Sequence, residues 1–170
     1  EERRLGVTCI DIGGGTATVA SFAEGHFIHA AAVPSGGQHI TFDIAHALQT
    51  PLAEAERIKT LYGTMVSAQS DEREAFSYAL AGEDEGTRGR STKAELAEII
   101  RPRMASIPGS VRERLDAAGV THVTGQRVVL PGGTSSLLGT GEFAATVLCW
   151  PLRVAKPLQF SGMSHSVSPP

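Results

Sequence analysis

The run Asp11-Ile12-Gly13-Gly14-Gly15-Thr16 sets three consecutive glycines beside a carboxylate and a hydroxyl. Glycine tolerates positive φ and carries no Cβ, so such a turn lets several backbone N–H groups converge on phosphate oxygens. Asp11, at the end of the preceding apolar run, can hold a Mg²⁺ ion through water, and Thr16 can add a hydroxyl. Taken alone, the same glycines would equally serve a tight hairpin. A second glycine pair, in Gly132-Gly133-Thr134-Ser135, falls between an apolar run and a helical stretch. There, backbone can lie flat against an adenine or ribose while a helix N-terminus faces an anion. An ordinary strand-to-helix turn uses the same residue types. Glu56 and Lys59 lie three apart on a helix face opposite Leu52, Ala55, Ile58 and Tyr62. The carboxylate can accept from ribose hydroxyls and the ammonium can approach sugar or base; on a solvated face the two would simply form an ion pair.

Other candidate chemistry is thinner. His26 with His29, and His39 with His46, lack a third ligand at metal-site spacing. Cys9 and Cys149 sit inside apolar runs with no Cys-x-x-Cys pattern, as buried packing residues in a reducing compartment would. No Gly-x-Ser-x-Gly nucleophile context occurs, so covalent hydrolase chemistry has no support. The 170 residues, 41% apolar and 19% charged, suffice for one compact domain or two small lobes sharing a core. The net charge of -3, without a basic stripe interleaved with aromatics, argues against a nucleic-acid partner. No apolar run approaches the roughly 20 residues that span a bilayer. Glu1-Glu2-Arg3-Arg4 is not followed by the apolar region of a signal peptide.

The elements that must position these residues follow from hydrophobic period. Val7 to Ile12, Ala17 to Phe22 and Phe27 to Val33 read as a strand meander with turns at Gly13 to Gly15 and at Glu24-Gly25. After Gly36-Gly37 the period becomes helical, with Ile40, Ile44 and Leu48 four apart. Thr50-Pro51 reads as the N-cap and first-turn proline of a second helix reaching about Tyr62. Residues 67 to 91 read as loops around one edge strand at Ala75 to Ala81. Thr92 and Glu95 form a capping box ahead of a helical stripe. Pro102 is placed to bend that helix, Pro108-Gly109 to break it, and Ser110 to cap a further helix ending at Gly119. A buried strand at Arg127 to Leu130, a helix from about Ser135 to Leu148, a strand at Leu152 to Ala155 and a loose tail complete the chain.

It is the order of these parts that resembles a known family. GVTCIDIGGGTATVASFAEG, VPSGGQHITFDIAHALQTPLAEAERIK, STKAELAEIIRPRM, VVLPGGTSSLLG and PLRVAKP are similar to the second half of the actin-like ATPase fold and, within it, to the bacterial cell-division family FtsA. The resemblance runs from about Gly6 to Pro157. DIGGGT is shared with DnaK-type chaperones and MreB filaments, whereas TFDIAHAL followed by TPLAEAERIK points more narrowly to FtsA.

The resemblance implies an α/β fold of actin-like, ribonuclease-H type: a mixed sheet with helices on both faces and an inserted α+β subdomain. Residues 1–50 and 124–158 would form the nucleotide-binding subdomain, 51–123 the outer subdomain and 159–170 the tail. ATP with Mg²⁺ would be the cofactor. Asp11, Gly13, Gly14, Gly15 and Thr16 match the second phosphate motif, with Asp11 reaching the metal through water. Gly36 and Gly37 match a loop close to the phosphates, Glu56 and Lys59 the nucleoside-contacting helix, and Gly132, Gly133, Thr134 and Ser135 the adenosine motif. The outer subdomain would receive the C-terminal tail of the division tubulin FtsZ, and Arg101 and Arg103 suit such an acidic peptide. The implied protein is a scaffold with at most weak ATPase activity that self-associates into filaments and acts at the cytoplasmic face of the plasma membrane at the division site. The family's N-terminal half and its C-terminal amphipathic membrane helix have no counterpart in the sequence, which is expected to be a fragment. Pro131 and Pro108-Gly109 depart from the family pattern. The rival readings are a PilM-like pilus or secretion scaffold, and an actin-fold ATPase or phosphotransferase.

Overall fold

A computed structural model of the chain describes residues 6–66, 68–83, 87–121, 128–130 and 152–154. Strands β1 (Val7–Ile12), β2 (Ala17–Ala23) and β3 (His26–Val33) form an antiparallel meander. Helices α1 (Gly37–Leu48) and α2 (Leu52–Tyr62) follow. Strands β4 (Ala75–Ala79) and β5 (Arg88–Thr92) lead into the long helix α3 (Lys93–Ala117). Short strands β6 (Val128–Leu130) and β7 (Leu152–Val154) lie at the end of the described chain. The main sheet has the order β3-β2-β1-β6-β7, with β6 parallel to β1 and β7 parallel to β6. The antiparallel pair β4-β5 stands as a separate sheet.

Alternation makes the meander. In β2, Ala17, Val19, Ser21 and Ala23 are buried while Thr18 is exposed, the period-2 signature of a sheet with one face on the core. The polar pair Thr8 and Ser21 is buried in register and hydrogen-bonded across the strands at 3.2 Å, so neither hydroxyl is left unsatisfied. Between β2 and β3, Glu24 (φ 51) and Gly25 (φ 85) both adopt left-handed backbone, which is how a two-residue hairpin turn matches the strand twist.

The helices converge on one core. Ile40 and Ile44 of α1, Ala55 and Ile58 of α2, and Leu96, Ile100, Met104, Ile107, Val111 and Leu115 of α3 are buried with Ile10, Ile12 and Val19 of the sheet. Each fully buried side chain of this size stabilises by about 1.5–3 kcal/mol. That stripe explains a correction to the sequence reading: Pro108-Gly109 does not break α3, which runs through Pro102 and Pro108 to Ala117. An internal proline costs about 3 kcal/mol. Stopping there would expose Val111 and Leu115, both 0% accessible. The capping box stands as read, with Glu95 N–H donating to Thr92 Oγ1 at 3.2 Å and Thr92 N–H to the Glu95 carboxylate at 3.0 Å.

Three other expectations change. Arg88 to Ser91, read as loop, belong to the strand Arg88–Thr92: β5 is polar because its outer face meets solvent, and Gly89 leaves room for the Tyr78 ring, which a Cβ would approach to 2.4 Å. Thr50 does not cap α2; its hydroxyl donates to the Ala79 carbonyl at 2.6 Å, and Pro51 takes the cap position without a side-chain bond. Cys9 is half-buried. The expected helix over 135–148, Cys149 and the tail lie outside the described residues, among which no helix is long and apolar enough to cross a membrane.

Gly89→Ala should lower stability by about 1–3 kcal/mol through overpacking on Tyr78. Gly109→Ala, in a helix interior where an added Cβ meets nothing within 4 Å, should raise it by roughly 0.5–1 kcal/mol. Urea unfolding of the two variants checks both signs, and stabilisation by the first or destabilisation by the second would contradict the packing described.

Candidate functional site

The triglycine turn closes β1 onto β2, with Gly13 N–H donating to the Thr16 carbonyl at 2.9 Å. The carbonyls of Gly13 and Gly14 in turn accept from Gly37 and Gln38, the first amides of α1, at 2.9 and 2.8 Å. Gly36 makes this approach possible, since a Cβ there would lie 2.5 Å from the Gly13 oxygen and 2.6 Å from the Gly14 oxygen. Gly36 N–H donates to His39 Nδ1 at 3.2 Å.

The turn itself behaves differently from its sequence reading. None of Gly13, Gly14 or Gly15 has positive φ. A Cβ at Gly14 or Gly15 would touch only the Gln38 side chain, at ordinary contact distances of 3.5 and 3.9 Å. Neither backbone conformation nor packing among the described residues therefore demands glycine at 14 and 15. What the missing side chains leave is open approach to two exposed N–H groups that make no hydrogen bond among the described residues. That cradle fits a phosphate chain, whose oxygens accept from backbone amides.

Beside the turn lies a cleft of about 930 Å³ whose walls include Gly13, Gly14, Gln38, Glu56, Lys59 and Thr60. Sequence reading put Glu56 and Lys59 on one ligand edge, and both do line this cleft. The structure adds what they hold: Lys59 Nζ donates to the Gly37 carbonyl at 3.1 Å, Thr41 Oγ1 at 2.9 Å and Glu56 Oε2 at 2.7 Å. The buried Thr41 hydroxyl also meets Glu56 Oε2 and the Gly37 carbonyl. Partial burial pushes the Glu56 carboxyl up, but hydrogen bonds from Lys59 and Thr41, with the Lys59 charge, outweigh it and hold the group below its ordinary value. Thr41 was missed from sequence; its one signal was a hydroxyl four residues after Gly37, beside the Ile40-Ile44 stripe.

Other expected residues are placed unevenly. Asp11 and Thr16 are exposed beside the turn, and Asp11 is not among the residues lining the cleft. Gly132, Gly133, Thr134 and Ser135 lie outside the described residues. Arg103 grips Asp43 of α1 through two parallel bonds of 2.7 and 2.9 Å, and Arg101 is paired with Glu98 one turn back on α3. Among the described residues no group of three or more His, Cys, Asp and Glu side chains could hold a metal ion.

Solved structures define the class. The chain matches MreB 5 of Spiroplasma citri bound to AMPPNP with a TM-score of 0.73 at 18% identity, over 91% of this chain and 50% of that one. It matches a PilM-PilN type IV pilus biogenesis complex with a TM-score of 0.66 at 18% identity, over 92% of this chain and 37% of that one. The fold is that of the actin-like proteins, a mixed α/β architecture.

Sequence narrows the class further. Residues 8–169 match the family model "Cell division protein FtsA". Identity is 37% with Cell division protein FtsA of Rhizobium meliloti (strain 1021), over 100% of this chain and 39% of that protein. It is 32% with that of Escherichia coli (strain K12), over 100% of this chain and 42% of that protein. The chain belongs to the FtsA family and spans about two fifths of the length of these curated relatives.

Because the folded Glu56 carboxyl holds its proton less tightly than at its ordinary 4.5, its ionised form stabilises the fold above that pH, and the contribution is lost as pH falls through the lower folded value. Glu56→Gln should therefore flatten the stability profile below about pH 4.5 and leave its neutral-to-alkaline shape unchanged. In the same unfolding assay, Gly36→Ala should cost about 1–3 kcal/mol through its backbone clash, while Gly14→Ala should stay within about 0.5 kcal/mol of the parent.

Proposed function

We propose that the chain is the second half of the nucleotide cleft in an ATP-binding, actin-like scaffold of bacterial cell division. The observation that carries this reading is the triglycine turn, whose glycines at 14 and 15 answer to no requirement among the described residues other than open amides, set in a member of the FtsA family. That MreB5 of Spiroplasma citri, an actin-fold neighbour, was solved with AMPPNP and also with ADP supports the choice of ligand.

In this reading the amides of Gly14 and Gly15 receive phosphate oxygens, and Thr16 adds its hydroxyl at the turn's far side. Asp11, exposed one residue before the turn's apolar anchor Ile12, holds a hydrated Mg²⁺ through water. Bound Mg·ATP would supply the phosphate chain that these amides and hydroxyl would hold. Glu56 Oε2 is engaged by Lys59 and Thr41, and Oε1 accepts from ribose hydroxyls. Gly36 and Gly37 keep α1 pressed on the turn, and Gly132, Gly133, Thr134 and Ser135 take the adenosine. Residues 1–50 and 124–158 form the nucleotide-binding subdomain and 51–123 the outer one. Nucleotide held between two halves sets the geometry for self-association into filaments, which work at the inner face of the plasma membrane at the division site.

The outer subdomain receives the FtsZ C-terminal tail along α3, where an acidic peptide would exchange for Glu98 at Arg101 and for Asp43 at Arg103. Arg103 also ties α3 to α1, so Arg101 is the residue varied.

Gly14→Val in the full-length protein should weaken MgATP binding at least tenfold, a loss of about 1.4 kcal/mol, without altering its melting transition. Unchanged affinity in a titration would remove the nucleotide assignment. Binding of a labelled FtsZ C-terminal peptide, followed by anisotropy, should weaken in Arg101→Glu. An unfolding profile like the parent's together with undiminished peptide binding would exclude this surface.

A further inference from the structure

Gln38 entered neither the sequence reading nor the roles above. Its backbone N–H donates to the Gly14 carbonyl at 2.8 Å, which pins the residue to the triglycine turn. Its exposed side chain folds back over the same glycines: a Cβ at Gly14 would lie 3.5 Å from Nε2, and one at Gly15 would lie 3.9 Å from Oε1. Among the described residues the carboxamide makes no hydrogen bond, and neither do the amides of Gly14 and Gly15 beneath it. Gln38 lines the same cleft as Gly13, Gly14, Glu56 and Lys59.

We propose that Gln38 is a phosphate-binding residue, its Nε2 donating to a non-bridging oxygen of the phosphate chain seated on the Gly14 and Gly15 amides. This inference rests on the nucleotide reading and adds to it a residue that senses the phosphate end alone. A phosphate chain needs several donors. The ammonium in this cleft wall closest to α1, Lys59, has its donors directed to the Gly37 carbonyl, Thr41 and Glu56. Neutral donors must therefore carry much of the contact, and Nε2, which offers two N–H groups, lies 3.5 Å from where a Cβ on Gly14 would stand. No carboxylate hydrogen-bonds this carboxamide among the described residues, so a phosphate arriving there breaks no hydrogen bond with any of them. The contribution of Gln38 must then depend on the phosphates a ligand carries, unlike that of Glu56 at the sugar.

Calorimetric titration of the full-length protein with adenosine, MgADP and MgATP tests this with Gln38→Ala and Gln38→Glu. The alanine variant should lose roughly tenfold in affinity for MgADP, MgATP or both, the scale of one hydrogen bond to a charged acceptor, and none for adenosine. The glutamate variant, of the same length but anionic, should lose more. Both should melt with the parent, since the side chain is exposed. Parent-like affinities for both phosphorylated ligands overturn the proposal while leaving the nucleotide reading intact. An equal loss for adenosine also overturns it, since the effect would then be structural. A parent protein that binds none of the three ligands removes the nucleotide reading itself, and this role with it.

Discussion

The seating of the α1 N-terminus on the triglycine turn is the contact from which the rest of the site follows. Two backbone bonds, from Gly37 to Gly13 and from Gln38 to Gly14, use helix amides that would otherwise lack an intrahelical partner. They satisfy turn carbonyls that would otherwise need water. The approach is so close that no side chain fits at Gly36. This fixes where α1 starts, and a helix is rigid enough that the positions of Thr41 and Asp43 follow from it.

From α1 the constraint spreads in two directions. Through Thr41 and the Gly37 carbonyl it reaches Lys59 and Glu56, so α2 is docked by a polar network at the same place where it presents a carboxylate to the cleft. Through Asp43 it reaches Arg103 on α3, in a two-bond geometry that a lysine could not reproduce. The apolar stripe of α3, packed on α1 and β3, carries that helix past two prolines. The cleft and α3 are thus both referred to one element, and the element is referred to the turn.

Much of this was legible locally. The period-2 runs of β1 to β3, the four-residue spacing of Ile40, Ile44 and Leu48, and the Thr92-Glu95 box each encode their element within a few residues, and each stands in the structure. Glu56 and Lys59 could be put on one face because three residues is nearly one helical turn. Where the local rule and the packing disagreed, packing prevailed. Pro108-Gly109 is a strong local stop signal, yet the burial of Val111 and Leu115 beyond it holds the helix together. Arg88 to Thr92 carries almost no strand signal, because a two-stranded sheet with one wet face hides only Ser91 on that side.

The sequence by itself determined the β1 to β3 meander and the two helices after it, the presence of a glycine turn able to meet an anion, and membership of the FtsA family, because periodicity, capping and motif order are all properties of neighbouring residues. Only the tertiary structure decided which glycines answer to which demand. Gly36 answers to a backbone crossing 22 residues downstream of Gly14, whereas at Gly14 and Gly15 φ is not positive and an added Cβ would meet only the Gln38 side chain, at ordinary contact distance. Composition cannot separate these cases, since all of them read as glycine. It likewise could not show that Arg103 faces Asp43, 60 residues away, or that Gln38 lies over the turn. Such pairings depend on how whole elements pack, and no local pattern records that.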